Sequence, residues 1–511
     1  MWDVIIVGGG SAGALMANRL SERDDRLVLL LEAGPDYRAA DTPEEFRDRS
    51  RGLGMQLASP PYLRSPEFYF SGVTARRAEG QEVHAYRRGR GLGGSSTVNG
   101  LYAIRGVPSD FAAWEEQGAT GWGAAEMLES YIAIEDEHDF PSDPVHGTSG
   151  PFPVYREPES GWGGIDLALR EAALAAGYGW APDHNDPQST GVSPFAMHIR
   201  DGLRVSANHA WIEPARKRAN LEVRGGVHVD RVRFARDRAV GVVDVDGQEY
   251  RLSPRGEVVV STGAAHSPAM LWRSGIGPRA ELGRLGIDTV VDAAVGVGAQ
   301  DHAVVFAEIS VPEREQLSVG NRPTNVIVRY SSELGGGRSN DMMLLATNHN
   351  YWFGQPTAGV AVSLEQPYST GHMTLASSDP RADPHFELRM LSDDRDLERL
   401  RDGMTRTLEL LEHDAFRTRR RGGIIAPRDE SEFRTSVKDT MHLSSTVRMG
   451  DSPDSVVDSD CRVRGVEGLR VVDASIMPCV VSANTLLTVL ALADRFVRRN
   501  PDLGAAGGTH A

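Results

Sequence analysis

The first 34 residues contain the feature that most restricts how this chain folds. An apolar run, Val4-Ile5-Ile6-Val7, leads into the glycine-rich segment 8–13, which has the pattern G-x-G-x-x-G. A short apolar run before glycines is typical of a buried parallel strand. The first glycine permits a tight turn, the second lets the backbone approach a pyrophosphate, and the third lets the next helix pack on the strand. The segment therefore predicts a strand, a turn and a helix whose N-terminus faces a phosphate group.

A second predicted strand follows this helix and ends on an acid. Residues 27–31 are apolar and are followed by Glu32, about 20 residues after Gly13, which is where an acid binds a ribose hydroxyl in dinucleotide-binding folds. A plain strand-turn-helix unit without a ligand does not explain this acid. The four features together predict a dinucleotide site, but the pattern does not distinguish NAD from FAD.

Length and composition limit the class of protein. A chain of 511 residues exceeds one hydrophobic core, so we expect two domains. The formal net charge of −16 disfavours binding to nucleic acid or to anionic lipid. Only two cysteines occur, no basic segment precedes the first apolar run, and no uncharged apolar run is long enough to span a membrane. These features predict a cytoplasmic protein without a membrane span.

Two more segments near the ends of predicted strands are rich in small residues. Residues 89–99 contain four glycines and three small hydroxyl residues, which predicts a loop whose backbone N–H groups close on a flat or anionic ligand. Residues 257–262, with the apolar run 258–260, predict another buried strand that leads to Gly263, and Ser267 before a proline favours a helix start there. The second segment repeats the strand, turn and helix order of the opening segment.

The order of elements along the chain predicts an α/β fold with an insertion. Alternating residues at 325–330 indicate an antiparallel sheet, whereas residues 469–473 again read as a strand that ends in an acid. We therefore predict a Rossmann-like domain with a parallel sheet completed by the C-terminus, and an inserted α+β domain with an antiparallel sheet. The predicted limits are 1–155, 200–302 and 440–511 for the dinucleotide-binding domain, and 156–199 and 303–439 for the substrate-binding domain.

One histidine and one asparagine near the C-terminus are the candidate catalytic residues. His442 lies among small hydroxyl residues, which do not suit a simple core, and a histidine can accept a proton near neutral pH. Asn484 stands at the start of the last predicted helix, where an asparagine is also a common N-cap. We expect structural roles for four other histidines. No His/Cys cluster has metal-ligand spacing, so no metal site is predicted. These histidines are His84, His146, His266 and His302.

The glycine-rich segments resemble the long signatures of one known family, the glucose-methanol-choline (GMC) flavoprotein oxidoreductases. Segments 8–13 and 32–34 resemble its FAD-binding opening, residues 89–106 its first signature and residues 263–277 its second. Residues 473–478 resemble its C-terminal flavin motif. The resemblance covers nearly the whole chain and implies FAD as the cofactor. The cofactor-binding residues that it implies are Gly8, Gly10, Ser11, Ala12, Gly13, Glu32, Ala33, Gly34, Arg90, Gly93, Gly94, Ser96, Asn99, Gly100, Val229, Gly263, Asp473, Ala474, Asn484 and Thr485.

The resemblance also implies a reaction. His442 and Asn484 match the family's catalytic pair, so an alcohol is expected to be oxidised to an aldehyde or ketone by hydride transfer to flavin N5, with His442 as general base and Asn484 bonded to the substrate oxygen. An unperturbed imidazole would make this step faster as pH rises through about 6.5. A FAD-containing lyase of the hydroxynitrile lyase type is the alternative, because a few family members have that activity.

Four positions qualify what the resemblance implies. Val98 stands where some members carry a flavin-linking histidine, so the FAD should be non-covalent. Leu443 and Ser445 replace the usual proline and glycine after the histidine, which leaves the local backbone shape open. Thr440 stands where some oxidases have a small apolar residue, which favours a dehydrogenase. The expected partners are a small-molecule alcohol and oxygen or another electron acceptor, and the alcohol is left open.

Overall fold

The fold was analysed in a computed structural model, which describes residues 1–47, 65–312, 322–336, 338–348 and 357–504. Within these ranges, none of the helices combines the length and the apolar composition that crossing a membrane requires. The described chain forms two large seven-stranded sheets, several small sheets and the helices that cover them.

The N-terminal strands form the centre of the first large sheet. Residues Val4 to Val7 pair in parallel with Val28 to Leu31 on one side and with residues 257–260 on the other. Apart from Glu257, the paired residues are apolar and buried, as in a parallel sheet that is covered on its faces. The strand order is Leu221–Arg224, Val28–Leu31, Trp2–Val7, Glu249–Val260, Arg238–Asp244 and Val229–Ala235.

The C-terminal part of the chain completes this sheet. Leu469–Val471 pairs in parallel with residues 258–260. It therefore lies on the side of that strand opposite to Trp2–Val7. The last helix, Thr485–Arg499, packs against the first helix, Ser11–Leu20. The Rossmann-like domain closed by the C-terminus is therefore confirmed.

The second large sheet is antiparallel and is built from the middle of the chain. Its strand order is Arg421–Ile425, Ala303–Ser310, Ala358–Leu364, Met342–Thr347, Val326–Tyr330 and Gly191–Pro194, and Lys438–Asp439 also pairs with Ala303–Ser310. The helix Asp394–Leu411 covers one face, with Leu397, Leu400 and Met404 buried. The predicted antiparallel sheet is confirmed, while the exact domain limits stay a prediction.

Shorter strands form further small sheets in the described chain. A five-stranded sheet has the order Val297–Ala299, Gly371–Thr374, His385–Glu387, Thr74–Arg76 and His84–Ala85, and a three-stranded sheet has the order Ala196–Met197, Phe152–Arg156 and Glu135–Glu137. Three pairs of short strands are Ile199–Arg200 with Leu203–Arg204, Ile276–Gly277 with Val291–Asp292, and Tyr69–Phe70 with Arg88–Gly89.

The remaining α-helices cover the sheets or connect their strands. They are Glu44–Arg47, Ser95–Val98, Pro108–Glu116, Ala124–Ile134, Gly164–Ala175, Glu213–Ala215, Gly263–Arg273, Arg279–Arg284, Asp414–Arg417 and Glu430–Ser436. The helix predicted after residues 257–262 is confirmed, but it begins at Gly263 and not at Ser267, so Pro268 lies inside the helix.

Candidate active site

A single cavity of about 620 Å³ connects the two large sheets. At one end it is lined by the glycine turn and Glu32, which lie at the carboxyl ends of parallel strands, the usual ligand crevice of such sheets. At the other end it is lined by Val304, Met343 and Ala361 of the antiparallel sheet. Residues of both predicted domains therefore line the cavity.

The glycine turn has the geometry that its pattern predicts. Gly8 has a φ of +103°, and a Cβ there would lie 2.3 Å from the Ser261 carbonyl oxygen. A Cβ on Gly13 would lie 1.9 Å from the Gly8 carbonyl oxygen, so the helix packs on the strand only without a side chain. A Cβ on Gly10, in contrast, would meet no atom within 4 Å. Gly10 therefore faces open space in the cavity wall, where a ligand can approach the backbone.

The Glu32 carboxylate ties the two glycine segments together. It accepts hydrogen bonds from the backbone N–H groups of Gly9 at 2.7 Å, Gly34 at 2.8 Å and Gly91 at 3.0 Å. A carboxylate has about four acceptor positions. One position is therefore left for a hydroxyl group of a ligand, while the other three hold the wall in shape.

The second glycine segment lies directly against the first. The N–H of Gly93 donates to the Gly9 carbonyl at 2.8 Å, and a Cβ on Gly94 would lie 2.8 Å from the Gly10 Cα. The Arg90 guanidinium donates to the Ala33 carbonyl at 2.9 Å. Glycines are required here because two backbone segments approach each other closely.

The C-terminal acid performs a similar task at the next helix. Asp473 is buried, and its carboxylate accepts from the Gly263 N–H at 2.9 Å, the Ser267 hydroxyl at 2.5 Å and the Ser475 N–H at 2.8 Å. Burial raises the pKa of this carboxyl, and these hydrogen bonds oppose the shift. Asp473 therefore fastens the C-terminal motif to the start of the helix at Gly263.

Most of the predicted cofactor-binding residues lie on the cavity wall. Those that line it are Gly8, Gly10, Ser11, Ala12, Glu32, Ala33, Gly94, Ser96, Asn99, Gly100, Val229, Gly263, Asp473, Ala474, Asn484 and Thr485. The other four lie behind the wall, where Gly13, Gly34, Gly93 and Arg90 make the close packing and hydrogen bonds described above.

These residues fit a dinucleotide. The open position at Gly10, the free acceptor position on Glu32 and the elongated cavity suit a pyrophosphate, a ribose and a flat ring system in turn. Val98 is 4% exposed and lines the cavity. A valine side chain has no nucleophilic atom that could form a bond to a flavin.

The two candidate catalytic residues meet in this cavity although 42 positions separate them. The Asn484 amide nitrogen lies 3.2 Å from Nε2 of His442. Asn484 occupies the N-cap position of the last helix, but its side chain makes no capping hydrogen bond. The side chain is therefore directed to the histidine, and the simple N-cap interpretation is excluded.

The other ring nitrogen of His442 has two neighbours. Nδ1 lies 2.8 Å from the Thr440 hydroxyl and 2.9 Å from Nδ1 of His302. The Thr440 hydroxyl lies 3.2 Å from the Asp301 carboxylate, to which it can donate, so its oxygen is free to accept from His442. These contacts favour the tautomer of His442 with a proton on Nδ1 and the lone pair on Nε2, where the Asn484 amide can donate to it.

Asp301 holds the backbone at this position. Its carboxylate accepts from the His442 N–H at 2.9 Å and from the Tyr86 hydroxyl at 2.5 Å. Burial, together with repulsion from Asp439, raises the pKa of Asp301 to about 6. The histidine is thus positioned by a buried carboxylate that contacts its backbone and not its ring.

The environment keeps the His442 ring neutral. Burial lowers its pKa well below the ordinary value, and the nearby His302 and Arg88 lower it further, while Asp439 opposes them. The expected rise in rate as pH passes about 6.5 depends on an imidazole with an ordinary pKa. Because the pKa of His442 is lowered, the basis for that expectation is removed. A neutral imidazole is the form that can accept a proton.

The two departures from the resemblance affect the backbone differently. Ser445 has a φ of +67°, the left-handed conformation that a glycine adopts readily. Its side chain is buried, and its hydroxyl has no hydrogen-bond partner. Leu443 is 2% exposed, and its N–H donates to the Tyr86 hydroxyl at 3.0 Å. The backbone turn is therefore formed without glycine.

The sequence-based interpretation did not assign two residues of this site. His302 was grouped with the structural histidines, yet it contacts His442, and Glu365 was not considered, yet it lines the same cavity. A polar run, Gln300-Asp301-His302, just before an apolar strand was the available signal. No pattern in the sequence marked Glu365.

A second buried histidine lies in a different cluster. Nδ1 of His146 is 2.9 Å from Glu135, and its Nε2 is 2.9 Å from Asp183. Arg105 pairs with Glu135, and Arg156 pairs with Asp183. Burial opposes protonation, but the hydrogen bonds to Asp183 and Glu135 raise the pKa of His146 to about 9. The cluster, to which Glu137 also belongs, is an ion-pair network with cations already between its carboxylates.

Comparison with known proteins places this geometry in context. The family model described as GMC oxidoreductase matches residues 2–304 with its N-terminal part and residues 367–493 with its C-terminal part. A 5-(hydroxymethyl)furfural oxidase of Methylovorus sp. (strain MP688) is 34% identical, over 97% of this chain and 98% of that protein. An oxygen-dependent choline dehydrogenase of Pseudomonas entomophila (strain L48) is also 34% identical, over 97% of this chain and 93% of that protein.

A solved structure gives the same result. The crystal structure of pyridoxine 4-oxidase from Mesorbium loti superposes with a TM-score of 0.87 and is 29% identical, and the match covers 98% of this chain and 99% of that one. The similarity extends over nearly the whole chain, so the two proteins have the same overall fold.

Proposed function

The chain belongs to the GMC oxidoreductase family, and on this premise we propose that it oxidises an alcohol to an aldehyde or ketone with FAD as cofactor. Members of this family are flavin enzymes, and the named relatives act on alcohols. The observation that supports the proposal in this chain is the pair of His442 and Asn484, which meet in the cavity that the glycine segments line.

His442 is proposed to accept the hydroxyl proton of the alcohol. Its ring is neutral, and the contacts at Nδ1 leave the lone pair of Nε2 available beside Asn484. Asn484 is proposed to donate to the substrate oxygen, which fixes the alcohol against the base. Holding the reacting groups in place contributes much of the rate in such reactions.

The FAD would be held by the glycine turn, Glu32, the second glycine segment and the Asp473 motif. When bound, FAD would supply the electron chemistry of the reaction as the acceptor of the alcohol's hydride. The chain's own residues bind this group, exclude water from it and remove the proton. Val98 supports non-covalent binding.

The substrate end of the cavity is mostly apolar. Val304, Phe306, Met343, Leu345 and Ala361 line it, all on three neighbouring strands of the antiparallel sheet. An apolar wall favours an alcohol that has an apolar body next to its hydroxymethyl group. A fully hydroxylated molecule would make less apolar contact with such a wall.

Anaerobic mixing of the holoenzyme with a panel of alcohols tests the proposal. Bleaching of the flavin absorbance by at least one alcohol, with formation of its aldehyde or ketone, is the expected result. An enzyme that leaves the flavin oxidised but forms or cleaves cyanohydrins would instead be the lyase. Absence of both reactions would indicate a flavin-binding protein that is not an enzyme of this kind.

Two further measurements address the cofactor and the acceptor. Acid precipitation should release FAD into the supernatant, and flavin that stays with the polypeptide would contradict non-covalent binding. Admission of air after reduction distinguishes the two enzyme classes. We propose a dehydrogenase because of Thr440, so slow reoxidation is expected, whereas fast reoxidation with stoichiometric peroxide would identify an oxidase.

A further inference from the structure

We propose that His302 and Glu365 form a buried pair that receives the alcohol's proton from His442, so that the proton is held one imidazole further from the substrate. The inference rests on the proposed function for the origin of the proton. The path of the proton follows from separate contacts, because neither His302 nor Glu365 belongs to the pair of His442 and Asn484.

The hydrogen bonds of His302 determine its tautomer. Its Nε2 lies 2.9 Å from the Val481 carbonyl oxygen, which can only accept, so Nε2 carries a proton. In the neutral ring Nδ1 is then without a proton. This Nδ1 lies 2.9 Å from Nδ1 of His442, from which it can accept. The contact gives His442 the same tautomer that Thr440 favours.

The proton transfer follows from these two tautomers. As the bond from the alcohol proton to Nε2 of His442 forms, the N–H bond at Nδ1 of His442 breaks and an N–H bond at Nδ1 of His302 forms. One proton enters the pair of rings and one moves between them, and no electrons are exchanged. Thr440 also contacts Nδ1 of His442, but a hydroxyl oxygen is too weakly basic to keep the proton.

Glu365 makes His302 the better place for the positive charge. The Glu365 carboxylate lies 3.3 Å from Nδ1 of His302, and both side chains are at least nine-tenths buried. A nearby carboxylate favours the charged imidazole, particularly in a buried site. Within the described ranges no carboxylate contacts the His442 ring. Arg88 lies close enough to oppose a charge on it, although Asp439 partly offsets this effect. Asp301 contacts only its backbone N–H.

The first test locates the proton without any substrate. Holoenzyme with ¹⁵N-labelled histidine is titrated by NMR, and the signals are assigned by their loss in His302→Gln and His442→Gln. We expect the His302 signal to report protonation at a higher pH than the His442 signal. Glu365→Gln should lower the His302 midpoint by at least about one pH unit. Protonation of His442 first, or no effect of Glu365→Gln, would overturn the proposal.

The second test measures the consequence for the reaction. His302→Gln keeps an acceptor for His442 but cannot take a proton, so the limiting rate of anaerobic flavin reduction should fall by about 10- to 100-fold. The dissociation constant of the alcohol should stay within about threefold, because His302 acts through His442. Glu365→Gln should give a smaller decrease and shift the pH profile, an effect that a purely structural residue would not have.

A matched pair elsewhere in the chain provides the control. His385 and Glu387 also form a histidine–carboxylate contact, at 3.0 Å, but they do not line the cavity. His385→Gln and Glu387→Gln should leave the reduction rate within about twofold of the wild type. If the wild type is reduced by no alcohol, the proposed function fails while the NMR titration still decides where the proton resides. If the wild type is reduced but His302→Gln keeps its rate, the relay fails alone.

Discussion

Two of the buried histidine clusters in the described part of the chain, around His146 and around His442, hold the imidazole in opposite charge states. His146 lies between the carboxylates of Glu135 and Asp183, and these contacts raise its pKa to about 9. His442 lies beside a hydroxyl, an amide and another imidazole, and burial lowers its pKa well below the ordinary value. The same side chain is thus a fixed cation in one cluster and a free base in the other.

The difference shows which neighbours decide the role of a buried histidine. Burial alone disfavours the charged form in both clusters, and only direct carboxylate contacts reverse that effect. At the candidate active site the Glu365 carboxylate contacts His302, the neighbour of His442, and not His442 itself. His442, the proposed base, therefore stays neutral while a carboxylate contacts the neighbouring His302.

The largest expected effect comes from removing the base. His442→Ala should reduce the rate of flavin reduction by about 100- to 10,000-fold, the usual contribution of a positioned acid or base. The yellow holoenzyme should still fold, because the glycine segments and Asp473 lie elsewhere. Anaerobic stopped-flow absorbance measures this rate. His146→Ala should leave the rate per folded enzyme nearly unchanged, and a similar loss in both variants would break the comparison.

The second effect concerns stability. His146→Leu leaves Glu135 and Asp183 without their shared cation, and removal of one partner from a buried ion pair costs about 3 to 5 kcal/mol of unfolding free energy. Urea unfolding at pH 6 measures this loss. His138→Gln is the matched control, because His138 contacts a carboxylate at 3.1 Å on the exposed surface. An equal effect of the two variants would contradict the importance of burial.

The pH dependence of stability follows from the same cluster. The folded-state pKa of His146 is raised to about 9, so its contribution is present below the unfolded value of about 6.5 and is lost as pH rises through 9. A shift of this size corresponds to about 3 kcal/mol. Unfolding of the wild type should thus become easier between pH 6.5 and 9.5, and His146→Leu should show less of this change.

A smaller effect is expected for the partner of the base. Asn484→Ala removes one hydrogen bond and leaves the proton acceptor in place. A loss of roughly 10-fold in the reduction rate is expected, which corresponds to about 1.4 kcal/mol. Stopped-flow reduction with the same alcohol checks it. A loss as large as that of His442→Ala would mean that Asn484 does more than orient the substrate and the ring.

The backbone of the two clusters gives a further prediction of about 1 kcal/mol. Ser445 has a φ of +67°, whereas none of the non-glycine residues between Glu135 and Arg156 has a positive φ. Ser445→Gly should raise the unfolding free energy by about 1 kcal/mol, because it relieves the left-handed conformation and removes an unpaired buried hydroxyl. Ser444→Gly, where the hydroxyl donates to the His442 carbonyl, should destabilise instead.

The smallest expected effect concerns the pH dependence of flavin reduction, for which we expect no change in rate near neutral pH. Because the pKa of His442 is lowered well below 6.5, its ring is already neutral at pH 6.5 and gains no basicity at higher pH. The limiting rate of flavin reduction should therefore stay constant between pH 6.5 and 8.5, the range in which stability decreases through His146. A rise of 10-fold or more in that range would show that His442 titrates there and would remove the contrast between the clusters.

The sequence alone was sufficient for the parts of the site that local geometry determines. The glycine turn, Glu32 at the end of the second strand and the helix at Gly263 follow from φ requirements and close packing within short segments. The pairing of His442 with Asn484 came from the resemblance, since nothing between residues 442 and 484 requires these side chains to meet.

Only the tertiary structure decided the chemistry of the histidines. His302 and Asp301 contact His442 from a distant part of the chain, and Glu365 contacts His302, but no spacing in the sequence predicts which of these residues meet. His146 and His442 are chemically identical in the sequence. Their charge states differ because a pKa depends on desolvation and on charges within a few ångströms, and both quantities exist only once the chain is folded.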